Sequence, residues 1–159
     1  MPTDIRSTLV RSARHEARRD GSRTVEAEHL LLAIALLEDN AATRMLTAAG
    51  LTEDVIRSAL NREWEQSLAV AGIAVRIDSL PQATPDRDRQ PQFGESGKLV
   101  LRRAMEAPPK LGSRIGPMRI LVGLLDTERG RVARTLEAAG VNRVALRTQA
   151  AEALASGTN

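Results

Sequence analysis

The two histidines of this chain each lie next to a glutamate, a pairing able to bind metal or to move protons. His15-Glu16 begins like the His-Glu-x-x-His zinc motif, but Arg19 stands where the second histidine belongs. We therefore interpret His15 and Glu16 as part of a solvated helix face. At a predicted helix start, Glu28 suits the dipole and His29 serves as a cap or packs, with ligand contact as the alternative.

The chain lacks the residues that other kinds of catalytic or metal site would need. The chain has no cysteine, which excludes disulfides and thiolate metal sites. It has neither the nucleophile elbow of Ser-His-Asp hydrolases nor a Gly-x-x-x-x-Gly-Lys-[Ser/Thr] phosphate loop. We predict that the protein is not an enzyme and has no catalytic residue, no cofactor and no metal.

Arginine supplies nearly all of the positive charge, in a chain whose formal net charge is +3. An early cluster comprises Arg6, Arg11, Arg14, Arg18, Arg19 and Arg23. One interpretation is a nucleic-acid patch. However, Asp4, Glu16 and Asp20 lie among these arginines and no aromatic is there to stack bases, so we favour a solvated face with intrahelical ion pairs. Arg129, Arg131 and Arg134 are interpreted in the same way, beside Asp126, Glu128 and Glu137.

The elements that must position these residues are predicted to be helices, because the sequence is rich in Ala, Leu, Arg and Glu. Apolar periodicity predicts helices from the N-cap Thr3 to Asp20, then over 28–37, 40–49 and 52 to about 70. Residues 22–27 are predicted to form a loop. Further helices are predicted up to Pro108-Pro109, over 120–125 and 132–139, and along Val144, Leu146, Ala150 and Leu154.

An internal repeat organises these helices. The pattern Leu46-x-Ala-Ala-Gly50 returns as Leu136-x-Ala-Ala-Gly140, each copy downstream of an apolar run that begins at Glu28 or at Met118. Two such units are expected to share one core, because neither buries its apolar face alone. We predict a single domain over 1–159, with repeat one at 3–62, an inter-repeat segment and linker at 63–92, and repeat two at 93–155.

Two features of the inter-repeat segment have open interpretations. Trp64 either packs the end of its helix onto the body or anchors a partner, since tryptophan is enriched at binding hot spots. The apolar residues between Leu68 and Ile77 either extend the core, form a short strand or cover a groove.

The residues of the repeat resemble a known family. Three stretches carry the resemblance: Gly21 to Glu28-His29-Leu30-Leu31-Leu32, Leu46 to Leu51, and the opening of repeat two from Phe93 to Leu101. Through them the chain resembles the double-repeat N-terminal domain of the Clp ATPases, most like the ClpC type. The resemblance implies an all-α fold of two pseudo-symmetric four-helix units. It also implies a non-catalytic domain that docks adaptors and substrates, reads phosphoarginine in ClpC types and is a target of cyclic-peptide antibiotics.

The resemblance also implies a ligand site in the groove between the two units. We predict Thr3, Ile5, Glu28 and Phe93 to line it, with His29 and Met118 as further ligand or partner contacts. The carboxylate that pairs with phosphoarginine is retained as Glu28. Its counterpart in repeat two is Met118, which makes no ion pair, so phosphoarginine recognition is expected to be at best half preserved.

These observations lead to one functional expectation and one alternative. We expect a free-standing, cytoplasmic binding module of the Clp system, acting as an adaptor or as a decoy for ligands of ClpC N-domains. No signal peptide or 18-residue apolar run is present, so no membrane association is expected. The alternative is an arginine-rich regulator associated with nucleic acid, which the interspersed acids disfavour.

Overall fold

Helices dominate the computed structural model, which describes residues 4–85, 88–108 and 115–158. The first four helices are α1 (Ile5–Arg19), α2 (Ala27–Ala35), α3 (Ala41–Ala48) and α4 (Glu53–Val70). The next four are α5 (Glu95–Glu106), α6 (Pro117–Leu125), α7 (Arg131–Ala138) and α8 (Arg143–Ala155). A 3-10 turn, Ile77–Ser79, and two strands, β1 (Thr24–Val25) and β2 (Gln92–Phe93), complete the described elements. The predicted all-α class is confirmed.

Helices α2 and α6 form the centre of the molecule. Every residue of α6 is buried, and so are eight residues of α2, from Ala27 to Ile34. Both sequences are apolar around most of the helix, a composition that suits only a position enclosed by other helices. One continuous core joins side chains from both halves, as the repeat predicted.

The repeated glycines end their helices in the same way. In the first unit the amide of Leu51 donates to the carbonyl of Leu46 at 2.8 Å, with Gly50 at φ +81°. In the second unit the amide of Val141 donates to the carbonyl of Leu136 at 2.9 Å, with Gly140 at φ +73°. This left-handed conformation favours glycine, so the predicted helix stops are confirmed.

Two details of the predicted helices differ from the structure. The side chain of Asp4 caps α1 by accepting from the amide of Arg6 at 3.3 Å, and the predicted cap, Thr3, lies outside the described residues. In α8, Val144 is 62% exposed. The buried face runs through Leu146, Ala150 and Leu154 at a four-residue spacing, and Val144 lies off that stripe.

The predicted loop over 22–27 contains a strand. Residues Thr24–Val25 pair in parallel with Gln92–Phe93, which lie at the end of the inter-repeat segment. The carbonyl of Val25 also accepts from the amide of Gly94 at 3.0 Å. Local sequence does not reveal this pairing, because the two partners are far apart along the chain.

Helix α4 continues past the predicted end of repeat one at residue 62. Its last residue, Val70, is 91% exposed, and Ile73 and Leu80 beyond it are also exposed. The carboxylate of Glu65 accepts from the amide of Ile77 at 2.8 Å and holds the 3-10 turn against the helix. Among the described residues 68–77 there is neither a strand nor a buried apolar side chain, so two of the three interpretations of this segment are wrong.

Candidate functional site

A cluster of buried charge joins the two units. Glu28 at the start of α2 and Glu63 in α4 are only 8% and 3% exposed. The Arg131 guanidinium donates through Nη1 to Glu28 Oε1 at 2.9 Å and through Nε to Glu63 Oε2 at 3.2 Å. Arg134 Nε donates to Glu63 Oε1 at 2.7 Å. Helix α7 of the second unit is thus tied to two helices of the first.

The surroundings of Glu63 keep it ionised. Burial raises the pKa of its carboxyl, but hydrogen bonds from Arg134 and Ser67 and the positive charges of Arg134 and Arg131 outweigh burial. The net result is a pKa below the usual 4.5. A negative charge is therefore held at neutral pH in a place that solvent scarcely reaches.

Trp64 lies at the solvent edge of this cluster. The Arg131 guanidinium carbon is 5.3 Å from the centre of the indole ring, which is a cation–π distance. Trp64 is nevertheless 47% exposed. Its side chain contacts α7 and also presents apolar surface to solvent, so both interpretations of this residue stay open.

The partners of Arg131 and Arg134 are not the ones that the sequence analysis predicted. We predicted a solvated face in which they are offset by Asp126, Glu128 and Glu137. The structure gives them Glu28 and Glu63 as partners, while Asp126 accepts from Arg147 Nε at 2.8 Å. The sequence analysis missed Glu63 because its partners come from the other repeat.

The interpretation of Glu16 as solvated is also wrong. Glu16 is buried, and its carboxylate accepts hydrogen bonds from both terminal nitrogens of Arg57, each at 3.0 Å. Asp20 pairs with His29 Nε2 at 2.6 Å. Two of the acids that were expected to neutralise the arginines of α1 therefore have partners on other elements.

His29 caps its own helix, as the structural interpretation predicted. Its Nδ1 accepts from the amide of Glu26 at 2.9 Å, so the ring proton of the neutral imidazole lies on Nε2 and is donated to Asp20. The side chain is 1% exposed. A ligand therefore does not reach His29 in this conformation.

Glu26 and Ser96 cap each other's helices. The Glu26 carboxylate accepts from the hydroxyl and the amide of Ser96 at 2.5 and 3.1 Å, while the Ser96 hydroxyl oxygen accepts from the amide of Ala27 at 3.0 Å. Burial raises the pKa of Glu26, but hydrogen bonds from Ser96, Thr24 and the Gly97 amide outweigh burial, so the pKa lies below the usual 4.5. This reciprocal capping fixes the start of α2 against the start of α5.

We expect Ser96→Ala to lower the free energy of unfolding by about 2 kcal/mol, because it leaves the Ala27 amide without its acceptor and removes the hydroxyl hydrogen bond to one Glu26 oxygen, which keeps the Ser96 amide. Urea unfolding measures the difference. Ser7→Ala is the matched control, since its hydroxyl makes only an exposed 3.4 Å contact with Asp4 and its removal should cost under about 0.5 kcal/mol. Equal effects of the two changes would contradict the role given to Ser96.

The residues predicted to bind a ligand differ in how accessible they are. Met118 is 1% exposed and packs in the core at the start of α6, and Phe93 packs against that core. The Glu28 carboxylate is bound by Arg131. Ile5 is exposed at the start of α1, and Thr3 lies outside the described residues. The ligand contacts stay predictions, and Ile5 is the most accessible of the described candidates.

Two open depressions lie elsewhere on the described surface. One, about 460 Å³ in volume, is lined by Arg6, Ser7, Val10, Arg11, Arg14, Arg18 and Gln90. The other, about 500 Å³, lies between α7 and α8 and mixes acids with arginines. None of Ile5, Glu28 and Phe93 lines either depression.

Within residues 4–85, 88–108 and 115–158, no group of three or more His, Asp or Glu side chains is arranged to hold a metal ion. None of the helices in these ranges has the length and apolar character needed to cross a bilayer.

A family model described as the Clp repeat (R) N-terminal domain matches residues 1–115. The chain belongs to this family. Clp N-terminal domains are non-catalytic binding domains, and they bind Clp system components and substrates. No curated protein matches the sequence.

Solved structures of such N-domains have the same fold. The N-terminal domain of the caseinolytic protease associated chaperone ClpD from Arabidopsis thaliana is 24% identical, with a TM-score of 0.69 over 98% of this chain and 94% of that one. The Hsp104 N-terminal domain from Candida albicans is 18% identical, with a TM-score of 0.64 over 98% and 93%. These identities are low, so the two structures show the shared fold alone.

Proposed function

We propose that this chain is a non-enzymatic peptide- and adaptor-binding module of the Clp protease system that works in the cytoplasm. The match to the Clp repeat N-terminal domain carries the proposal, and the double four-helix fold supports it. Its partners would be Clp unfoldase or protease components, adaptors or substrate peptides.

Two roles are consistent with such a module. As an adaptor it would bring cargo to an unfoldase. As a decoy it would sequester ligands of ClpC N-domains, cyclic-peptide antibiotics among them, and so spare the machine itself. A decoy succeeds by mass action, so it needs an affinity and a copy number comparable with those of its competitor.

Phosphoarginine is expected to be a poor ligand. The Glu28 carboxylate already binds the guanidinium of Arg131, and a ligand guanidinium would have to displace it. Met118 offers no carboxylate and is buried. An internal arginine therefore occupies the place that the family resemblance assigns to the arginine of a substrate.

A thermal-shift experiment with the purified chain tests the proposed function. We expect a cyclic-peptide ligand of ClpC N-domains to raise the melting temperature by about 5–10 °C at 100 times its dissociation constant, since that excess adds about 2.7 kcal/mol. Free phosphoarginine at the concentration used for the cyclic peptide is expected to leave the melting temperature unchanged.

The absence of a phosphoarginine effect has two explanations: the ion pair between Arg131 and Glu28, or the missing carboxylate at Met118. Arg131→Ala distinguishes them. If the internal ion pair blocks the site, this variant should gain a phosphoarginine shift, because Glu28 then has no guanidinium. No shift with the cyclic peptide in either protein would contradict the decoy role. Binding of adaptors would then have to be measured directly, by calorimetry with purified Clp components.

A further inference from the structure

The face of α1 that lines the depression of about 460 Å³ is rich in arginine. Ser7, Arg11, Arg14 and Arg18 follow one another at spacings of four, three and four residues, which places them in one stripe along the helix. Arg6 and Val10 border this stripe, and Gln90 forms the opposite edge of the depression. We call this depression the α1 groove.

Two of the acids that neighbour the arginines of the α1 groove in sequence pair with residues outside it. Glu16 pairs with Arg57 and Asp20 pairs with His29, both away from the groove. Within the described ranges, the only carboxylate in ion-pair contact with a groove arginine is Asp4, 3.7 Å from Arg6 in an exposed pair. Arg14 Nε is shielded from solvent and has no hydrogen-bond acceptor in the described part of the chain.

We infer that the α1 groove binds a short acidic peptide segment with an apolar residue among its acids. Guanidinium groups recognise carboxylates through paired hydrogen bonds, and Val10 provides apolar surface beside the arginine stripe. From Ser7 to Arg18 the helix rises about 16 Å, which is the length of about five extended residues.

An acidic peptide fits the α1 groove better than a nucleic acid does. No aromatic side chain lines the groove, so bases would have nothing to stack on. The arginine stripe is also short, and the whole chain carries a net charge of only +3. A peptide of five residues needs no larger basic surface. This assignment rests on the proposed function, because it names the chemistry of the peptide that such a module takes.

Fluorescence polarisation with a labelled Glu-Glu-Leu-Glu-Glu peptide tests the assignment on the full chain. We expect saturable binding at low salt and weaker binding when the salt concentration is raised to about 0.3 M. A Gln-Gln-Leu-Gln-Gln peptide should bind about tenfold more weakly or not at all, because it has lost the carboxylates. A single-stranded oligothymidylate of about twelve nucleotides is the third probe.

Matched double variants locate the binding. Arg11→Ala with Arg14→Ala is expected to weaken binding of the acidic peptide about tenfold or more. Arg6→Ala with Arg11→Ala changes only exposed side chains and should weaken binding while preserving the fold, as checked by circular dichroism. Arg44→Ala with Arg62→Ala removes the same charge from exposed positions of α3 and α4 and should change affinity less than about twofold.

Each contrary result overturns the assignment. The α1 groove is not the site if the Arg44 and Arg62 variant weakens binding as much as the groove variants do. Tighter binding of the oligothymidylate than of the peptide would instead show a nucleic-acid surface. Absence of acidic-peptide binding alongside a cyclic-peptide shift would overturn only this inference, whereas the reverse pattern would overturn only the decoy role.

Discussion

Replacement of Gly97 by alanine is expected to lower the free energy of unfolding by about 2 kcal/mol. Gly97 lies in the first turns of α5, where a β-carbon would stand 2.3 Å from the carbonyl oxygen of Val25. Helix propensity alone predicts the opposite result, a gain of about 1 kcal/mol for alanine over glycine. Relieving the clash means moving α5 away from β1, at a cost of about 3 kcal/mol, so the steric effect prevails.

Thermal or urea unfolding of Gly97→Ala measures the sign directly. A loss of about 2 kcal/mol corresponds to a melting temperature lower by about 4–8 °C. Lys98→Ala in the same helix turn is the control, because Lys98 is exposed and its change should fall within about 0.5 kcal/mol. Stabilisation by Gly97→Ala would mean that α5 and β1 are farther apart than the structure shows.

The second large effect is expected at Glu63. Changing it to glutamine keeps the shape of the side chain but removes the charge that Arg131 and Arg134 share. Removing one partner of a buried ion pair typically costs about 3–5 kcal/mol. We expect about 3 kcal/mol, because Arg134 is half exposed and Arg131 keeps Glu28 as a partner.

The pH dependence of Glu63→Gln distinguishes a charge effect from a packing effect. The pKa of Glu63 is lowered in the folded state, so its stabilisation is complete above about pH 4.5 and is lost as the pH falls through the folded pKa. The wild type should therefore lose more stability than Glu63→Gln between pH 6 and about pH 3. Glu26, whose pKa is also lowered, remains in both proteins and gives the variant a residual acid loss.

Glu38→Gln provides the matched control, since Glu38 is exposed and lies outside the cluster. It should change the unfolding free energy by less than about 0.5 kcal/mol at any pH in this range. A Glu63→Gln protein with an unchanged pH profile would contradict the ionic role of the cluster, whatever its stability at neutral pH.

Features that depend on neighbours along the chain were accessible from the sequence. The apolar runs around Leu31 and Leu121 predicted the two buried helices, and Gly50 and Gly140 predicted where helices end. Helix periodicity and glycine caps are local, because they involve residues within about five positions. The repeat then indicated that two such units share a core, and the resemblance carried by the same residues identified the family.

Tertiary structure alone decided the partners of the charged residues. The sequence analysis assigned Arg131 to acids close to it in the chain, such as Glu128, and only the packing of α7 against α2 and α4 selects the distant Glu28. The same packing buries Glu16 and directs it to Arg57, which leaves Arg11, Arg14 and Arg18 of the α1 groove without a carboxylate partner in the described part of the chain. Charge pairing acts over a few ångströms in space, so composition determined the number of charges, whereas the fold determined which ones remain available to a ligand.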